Sequence, residues 1–377
     1  MINKICIYAI CKNEINFVDK WIKSMSEADY IAVLDTGSTD GTYEKLVDLS
    51  AENPKLFVDR KIINPWRFDV ARNESMKLIP DDANILISTD LDELFEAGWG
   101  DIVRNKWNPD IHQEGVYKYI WSHTADGNPG RIFKYNKMHC RGWIWKYPVH
   151  EMLVKTSELD SNDSNNAICY LFDDITLHHY PESKPTRNSY LSLLKLRKEE
   201  NIDDHYGLIY LAHEYSYRGQ FQNSIDELNF ILNNYKNKYN SIEQASCYLF
   251  MGDAYIALNK NIEALESYRK GIETEPTYRE CYLGAAKCLI DMKRYREAES
   301  YIIDSIILSY RHYNWLERDT SWNEEPYDLL SIATYYSGKK KESLAYAVKA
   351  YSINPSDNRL KDNIKIILET MQDVDFF

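Results

Sequence analysis

The feature that most constrains this chain is a helical repeat with a 34-residue period in its C-terminal half. Tyr248, Gly252, Tyr255, Ala264, Tyr268, Gly271 and Pro276 fall within one period, and 34 residues on Tyr282, Ala286, Leu289, Ala298 and Ser305 take the matching places. The small residues Gly252, Ala264 and Gly271, matched by Ala286, Ala298 and Ser305, let two helices approach closely, and the proline stops the second one. Weaker copies flank these two, at Ala212, Tyr215, Ser224 and Leu228 before, and at Tyr327, Ser331, Gly338, Ser343, Ala350 and Pro355 after. One helix pair cannot bury its apolar face alone, so the copies must stack into an all-α solenoid covering residues 205–377.

The spacing is that of the tetratricopeptide pattern. Between the third and fourth copies lie roughly ten residues beyond the period, within RHYNWLERDTSWNE. This segment reads either as a longer loop pinned by Trp315 and Trp322, or as an edge that faces a partner.

The first half is patterned differently. Ile5–Ile10, Ile31–Leu34, Phe57–Asp59 and Ile85–Ser88 are short apolar runs ending in polar or acidic residues, as buried parallel strands do. Phe17, Trp21, Ile22 and Met25, then Tyr43, Leu46, Val47 and Leu49, recur at helical spacing between them. The expected class is an α/β, Rossmann-like domain over 1–183, whose ligand lies outside the carboxyl ends of the strands. Further strands are expected at Gly115–Trp121, Arg131–Tyr135, Val149–Val154 and Ile168–Thr176. Pro181 and Pro185 close the domain, and Thr186 caps a linker helix within 184–204 that reaches about Glu200.

A net charge of -13 excludes a surface that neutralises nucleic-acid phosphates or coats anionic lipid. No apolar run reaches the ~18 residues of a membrane span, and the first residues lack a signal-peptide core, so a soluble cytoplasmic protein is expected. The seven cysteines contain no Cys-x-x-Cys and read as reduced, mostly buried packing groups.

Three segments carry the chemistry. Leu34-Asp35-Thr36-Gly37-Ser38-Thr39-Asp40-Gly41-Thr42 is an acidic turn in which Asp35 can accept from a base N–H or a ribose hydroxyl, and Ser38, Thr39 or Asp40 can cap the next helix. Trp66-Arg67-Phe68-Asp69-Val70-Ala71-Arg72-Asn73 opens a helix reaching about Leu78, with Arg72 placed to pair with a diphosphate or, more blandly, with Asp69. Ser88-Thr89-Asp90-Leu91-Asp92-Glu93 follows an apolar strand. Alternation would turn Asp90 and Asp92 the same way, and their repulsion is relieved by a divalent ion, Mn²⁺ or Mg²⁺, shared with a diphosphate.

Together Ile10-Cys11-Lys12-Asn13-Glu14, LDTGSTDGT, FDVARN and STDLDE resemble the N-terminal half of family 2 glycosyltransferases of GT-A fold. The likeness extends to a bacterial subgroup in which that domain precedes tetratricopeptide repeats, including S-glycosyltransferases of bacteriocins. It implies an inverting transfer from a UDP-sugar, with a donor-binding set of Asp35, Arg72, Asp90, Asn13 and Glu14. Asp90 and Asp92 would hold the metal, joined by a late histidine, His178 or His179, with His179 preferred. The segment Tyr147-Pro148-Val149-His150-Glu151 resembles the subgroup's Val-His-Glu, whose histidine or glutamate would deprotonate the acceptor; alternation along a strand lets only one face the donor, and Glu151 is preferred over His150.

The repeats would recruit a peptide or protein acceptor along their concave face. A surface polysaccharide or lipid-linked acceptor, a non-catalytic scaffold, and pairing as a homodimer remain alternatives. The sequence lacks a GxGxxG, a Walker A loop, a GxSxG elbow and an HExxH.

Overall fold

Ile, Val and Leu runs buried on both faces organise the first of two units, Met1–Arg197 and Lys198–Phe377. The structure, a computed structural model, describes residues 3–123, 127, 129–156, 168–181, 189–312 and 316–372. Strands β1 (Ile5–Cys11), β2 (Tyr30–Asp35), β3 (Leu56–Arg60) and β4 (Ile85–Ser88) are parallel neighbours in the order β3-β2-β1-β4. Helices α1 (Val18–Ser24), α2 (Thr42–Glu52) and α3 (Phe68–Ser75) make the crossovers. The chain leaves β1 toward β2 and β3, then returns to place β4 on the opposite side of β1. Strand order therefore reverses between β1 and β4, the position at whose carboxyl ends open α/β sheets bind ligands.

The sheet continues through β7 (Ile132–His139), β6 (Glu114–Ile120) and β10 (Cys169–His179) to the short β5 (Glu93–Phe95), giving an eight-stranded mixed sheet. β7 runs antiparallel to both β4 and β6. On one face Ile5, Ile7, Val33 and Ile87 pack with Trp21, Met25 and Trp99; on the other Cys6, Tyr8 and Leu86 pack with Ile79 and Trp145.

Several boundaries depart from expectation. The strand expected at Val149–Val154 starts only at Met152, as β9 (Met152–Lys155) paired with β8 (Trp143–Lys146). Left-handed backbone at Tyr147 (φ 84°) and His150 (φ 49°) breaks any extended run through 147–150. Neither β5, β8 nor the eight-residue α4 (Trp99–Lys106) is long enough to show a period in the sequence. The linker helix is present as α5 (Tyr190–Glu200), while Thr186 and Pro185 lie outside the described residues. The 3-10 turn Met76–Leu78 completes the helix expected to reach Leu78.

The second unit is four consecutive helix pairs: α6 (His205–Tyr217) with α7 (Phe221–Asn234), α8 (Ser241–Ala257) with α9 (Asn261–Thr274), α10 (Arg279–Asp291) with α11 (Tyr295–Ile307), and α12 (Glu325–Tyr336) with α13 (Lys340–Ile353). A last helix, α14 (Asn358–Gln372), follows them. The glycines do what the period requires. A Cβ on Gly252 would meet the Tyr268 ring at 2.4 Å, one on Gly284 the same ring at 2.5 Å, and one on Gly271 the Cys281 sulfur at 2.4 Å. Tyr268 is buried between α8 and α10 with its hydroxyl donated to Asp253 at 2.9 Å, so it cannot swing away freely. Gly252→Ala is therefore expected to cost about 1–3 kcal/mol despite alanine's better helix propensity. Denaturant unfolding followed by helical circular dichroism checks this, and unchanged stability would show that the ring yields.

Candidate functional site

Asp35, Asp90, Arg72 and Glu151 are brought to the carboxyl end of the parallel strands by the last residue of β2, by the turn after β4, by α3 and by the bend before β9. The loops after β1 and β2 are tied to each other. Thr39 N–H donates to Asn13 Oδ1 at 2.8 Å, Asn13 N–H to Ser38 Oγ at 2.8 Å, and Glu14 N–H to Thr42 Oγ1 at 2.9 Å. Asn13 takes a left-handed φ of 57° to make this turn and stays exposed.

Asp35 is fully buried, and one oxygen, Oδ1, receives Gly37 N–H at 3.0 Å, Ser38 N–H at 3.0 Å and Arg60 Nε at 2.8 Å. Burial alone would raise its carboxyl; these donors reverse that and hold it below the ordinary carboxylate range. Asp35 thus organises the turn from within. Arg60, which no pattern in the sequence singles out, stacks on Tyr43 at 4.0 Å while making that bond. α2 starts at Thr42 with Gly41 in the capping position, so none of the three capping candidates caps it; Asp40, one residue earlier, accepts from Thr42 N–H at 3.0 Å.

Arg72 is the centre of the second group. Its side chain is 4 % exposed, and the guanidinium donates to Glu151, to Ser88 Oγ at 3.1 Å and to Asp90 Oδ1 at 2.9 Å. It does not pair with Asp69, which Arg67 takes at 2.8 Å. Neighbouring Asn73 grips the Trp145 backbone from both sides, N–H to Oδ1 at 2.9 Å and Nδ2 to C=O at 2.8 Å, which ties β8 to α3.

Glu151 is 9 % exposed on its side chain and faces Arg72, whereas His150 is exposed and lies edge-on to Tyr190 with ring centroids 5.7 Å apart. The two do point apart, but through the left-handed bend rather than through strand alternation. Arg197 of α5 positions this bend: fully buried and stacked on Tyr147 at 3.9 Å, it donates to the carbonyls of Val149 at 2.8 Å and His150 at 2.7 Å. Burial pushes the Glu151 carboxyl up, but Arg72 and then Lys137 overcome this and leave it below the usual range.

Asp90 and Asp92 lie in a turn between β4 and β5, so the expected strand alternation does not apply to them. Glu93 closes that turn: its N–H donates to Asp90 C=O at 3.1 Å, and its carboxylate accepts Asp90 N–H at 2.9 Å and Tyr119 O–H at 2.7 Å. Buried and close to Asp90, Glu93 has its carboxyl raised, chiefly by desolvation. Asp92 instead meets His179 Nε2 at 3.4 Å.

The His179 Nδ1 contact to Trp121 C=O at 3.0 Å places a proton on Nδ1, since a carbonyl can only accept. Nε2 is the atom that meets Asp92, with a second proton in the imidazolium and a lone pair in the neutral ring. Burial disfavours protonation of His179, yet Asp92 outweighs it and raises the imidazole. A lone pair and a carboxylate facing each other need a proton or a cation between them, and a carbonyl behind the distal nitrogen is the usual support of a metal-binding histidine. His178 is used elsewhere, between His123 at 3.0 Å and Glu96 at 2.9 Å, stacked on Tyr180. Among the described residues no three His, Cys, Asp or Glu form a metal-holding group. The Asp92–His179 pair fits an ion that takes its remaining ligands from water and substrate, as Mg²⁺ and Mn²⁺ commonly do.

In the second unit the long segment before α12 is pinned down. Trp322 stacks on Arg279 at 3.8 Å, Tyr278 O–H donates to Leu316 C=O at 2.9 Å, and Arg318 pairs with Asp253. The loop reading therefore describes Trp322, while Trp315 lies outside the described residues. All seven cysteines are unpaired and five are buried, Cys11 among them. No described helix is long and apolar enough to cross a membrane.

A tetratricopeptide repeat model matches residues 245–278, the register in which Tyr248 is the fourth position. The chain carries a tetratricopeptide repeat. No curated protein matches the sequence. Among solved structures, part of this chain is similar to TTC0263, a thermophilic repeat protein of Thermus thermophilus, at 18% identity over 48% of this chain and 90% of that one, TM-score 0.37. It is similar to MamA of Desulfovibrio magneticus RS-1 at 16% identity over 46% and 93%, TM-score 0.36, and to the first repeat domain of human RPAP3 at 17% identity over 34% and 93%, TM-score 0.31.

Proposed function

We propose that the first unit is a GT-A glycosyltransferase domain that moves a sugar from a UDP-sugar, with inversion, to a peptide or protein acceptor recruited by the repeats. The observation that carries this reading is the pairing of Asp92, in the turn after β4, with Nε2 of His179 at the end of β10, beside Asp90. A bound Mn²⁺ or Mg²⁺ would offset the charge that develops on the departing diphosphate. Asp92 and His179 would hold it, with Asp90 at its side.

Asn13 and the turn organised by Asp35 line the part of the crevice where a nucleoside would rest, with Glu14 anchored behind by its backbone. Arg72 keeps Asp90 and Glu151 ionised and in place. Glu151, ionised at neutral pH, is the proton acceptor in this reading, and the exposed His150 is not. A stacked array of helix pairs presents an extended face suited to a peptide segment, which favours the protein acceptor over a glycan.

Release of UDP from UDP-hexoses, measured with and without Mn²⁺, tests the assignment. Asp92→Asn is expected to lower turnover by about 100-fold while leaving the melting temperature close to wild type. Metal-independent turnover, or full turnover in the variant, would remove the cation from the mechanism; no nucleotide release or binding with any donor would leave a scaffold.

A further inference from the structure

Arg72 cannot greet an incoming diphosphate without abandoning two carboxylates, because its guanidinium is buried and already shared among Glu151, Asp90 and Ser88. The open side of the site carries a different cation. β7 runs opposite to β4, with Met138 beside Ile87 and His139 beside Leu86, so the residues before Met138 extend past the carboxyl end of β4. Lys137 arrives there. Its side chain is 12 % exposed, its ammonium lies 4.7 Å from the centre of the Tyr135 ring, and it stands 4.0 Å from Asp90 Oδ2. That oxygen is the one Arg72 leaves, on a side chain that is 39 % exposed.

The geometry points to Lys137 as a residue that makes cation and nucleoside diphosphate bind interdependently. This role rests on the donor reading of the site. At 4.0 Å the ammonium and Asp90 attract each other without a close hydrogen bond. A divalent ion entering beside Asp90 and Asp92 must displace the ammonium or suffer its repulsion. A diphosphate arriving alone must draw the same ammonium off Asp90. Either ligand bears the cost of separating the pair, and the second to arrive finds it already separated. Such a shared cost is positive coupling, and it is reciprocal.

The test measures binding rather than turnover. Mn²⁺ alone and UDP in saturating Mn²⁺ are titrated calorimetrically into the full-length wild type, Lys137→Met and Lys137→Arg, with GDP and uridine as further probes. Lys137→Met is expected to bind Mn²⁺ alone several-fold tighter and UDP–Mn²⁺ about tenfold weaker, with uridine unchanged, while Lys137→Arg stays near wild type. The opposite signs separate this role from a structural one, which would weaken both ligands together. Parallel losses, or a change in only one ligand, overturn the inference while leaving the donor reading intact. A wild type that binds neither UDP nor GDP with Mn²⁺ overturns both.

Discussion

Replacing Arg72 by methionine is expected to lower the stability of the first unit by about 3–5 kcal/mol and, under the proposed glycosyltransferase function, to abolish donor turnover with it. The cost does not come from a lost attraction alone. Glu151 is 9 % exposed on its side chain, and without Arg72 its carboxylate would remain buried with its nearest cation gone. Burial by itself pushes that carboxyl up, so part of the population would take up a proton instead of staying charged. Asp90, being more open to water, contributes less to the loss. The double variant Arg72→Met/Glu151→Gln removes the stranded charge and is expected to recover a substantial part of the stability but none of the activity. Urea unfolding of wild type, both singles and the double completes the cycle. A single variant within about 1 kcal/mol of wild type, or a double that is no better than the single, would show that the pair is solvated in solution.

The same network shows where the sequence could be read and where it could not. Asp90, Asp92 and Arg72 announce themselves because each follows or opens an element with a clear period: an apolar strand for the carboxylates, a helix start for the arginine. Lys137 and Arg197 carry no such signal. Lys137 lies in a strand whose exposed residues alternate with half-buried ones, so a lysine there looks like surface; only the antiparallel register of β7 on β4 brings it to Asp90. Arg197 sits among Lys195, Lys198 and Glu199 on a helix that reads as a charged linker, yet it is buried and holds the bend that aims Glu151. Glu93 was in plain view after the Asp-x-Asp, but its job depends on a turn that strand alternation does not foresee.

The repeats were legible for the opposite reason. Their contacts are local, and Gly252, Gly271 and Tyr268 are demanded by helix neighbours within about one period. What the period could not reveal is the segment that interrupts it, because Arg318 meets Asp253 across 65 residues and Arg279 meets Trp322 across 43. Within that segment the structure ties Trp322 to α10.

Acidification from about pH 7 toward about pH 4.5 is expected to destabilise the first unit through His139, a residue outside the candidate site. Its ring is fully buried on β7, with Nδ1 at 2.7 Å from Cys140 C=O and Nε2 at 2.7 Å from the Tyr8 hydroxyl, which also accepts from Trp145 Nε1 at 2.9 Å. The carbonyl obliges Nδ1 to carry the proton, so Nε2 accepts from Tyr8 and has no room for a second one. Burial lowers the imidazole most, the Cys140 carbonyl opposes this, and nearby Arg141 adds to the lowering, which brings it to about 4. The unfolded chain, with an ordinary histidine near 6.5, then binds more protons than the folded one between about pH 4 and pH 6.5. The stabilisation is complete above the higher value and is lost as pH falls toward the lower, at most about 3 kcal/mol over the window. Glu93, raised by burial, tilts stability the other way as pH falls, so the measurement must be a difference. His139→Asn keeps a short donor but does not titrate. Its stability, measured by urea at both ends of that pH interval, is expected to change less than the wild type's, and equal changes in the two proteins would clear His139 of any part in the acid sensitivity.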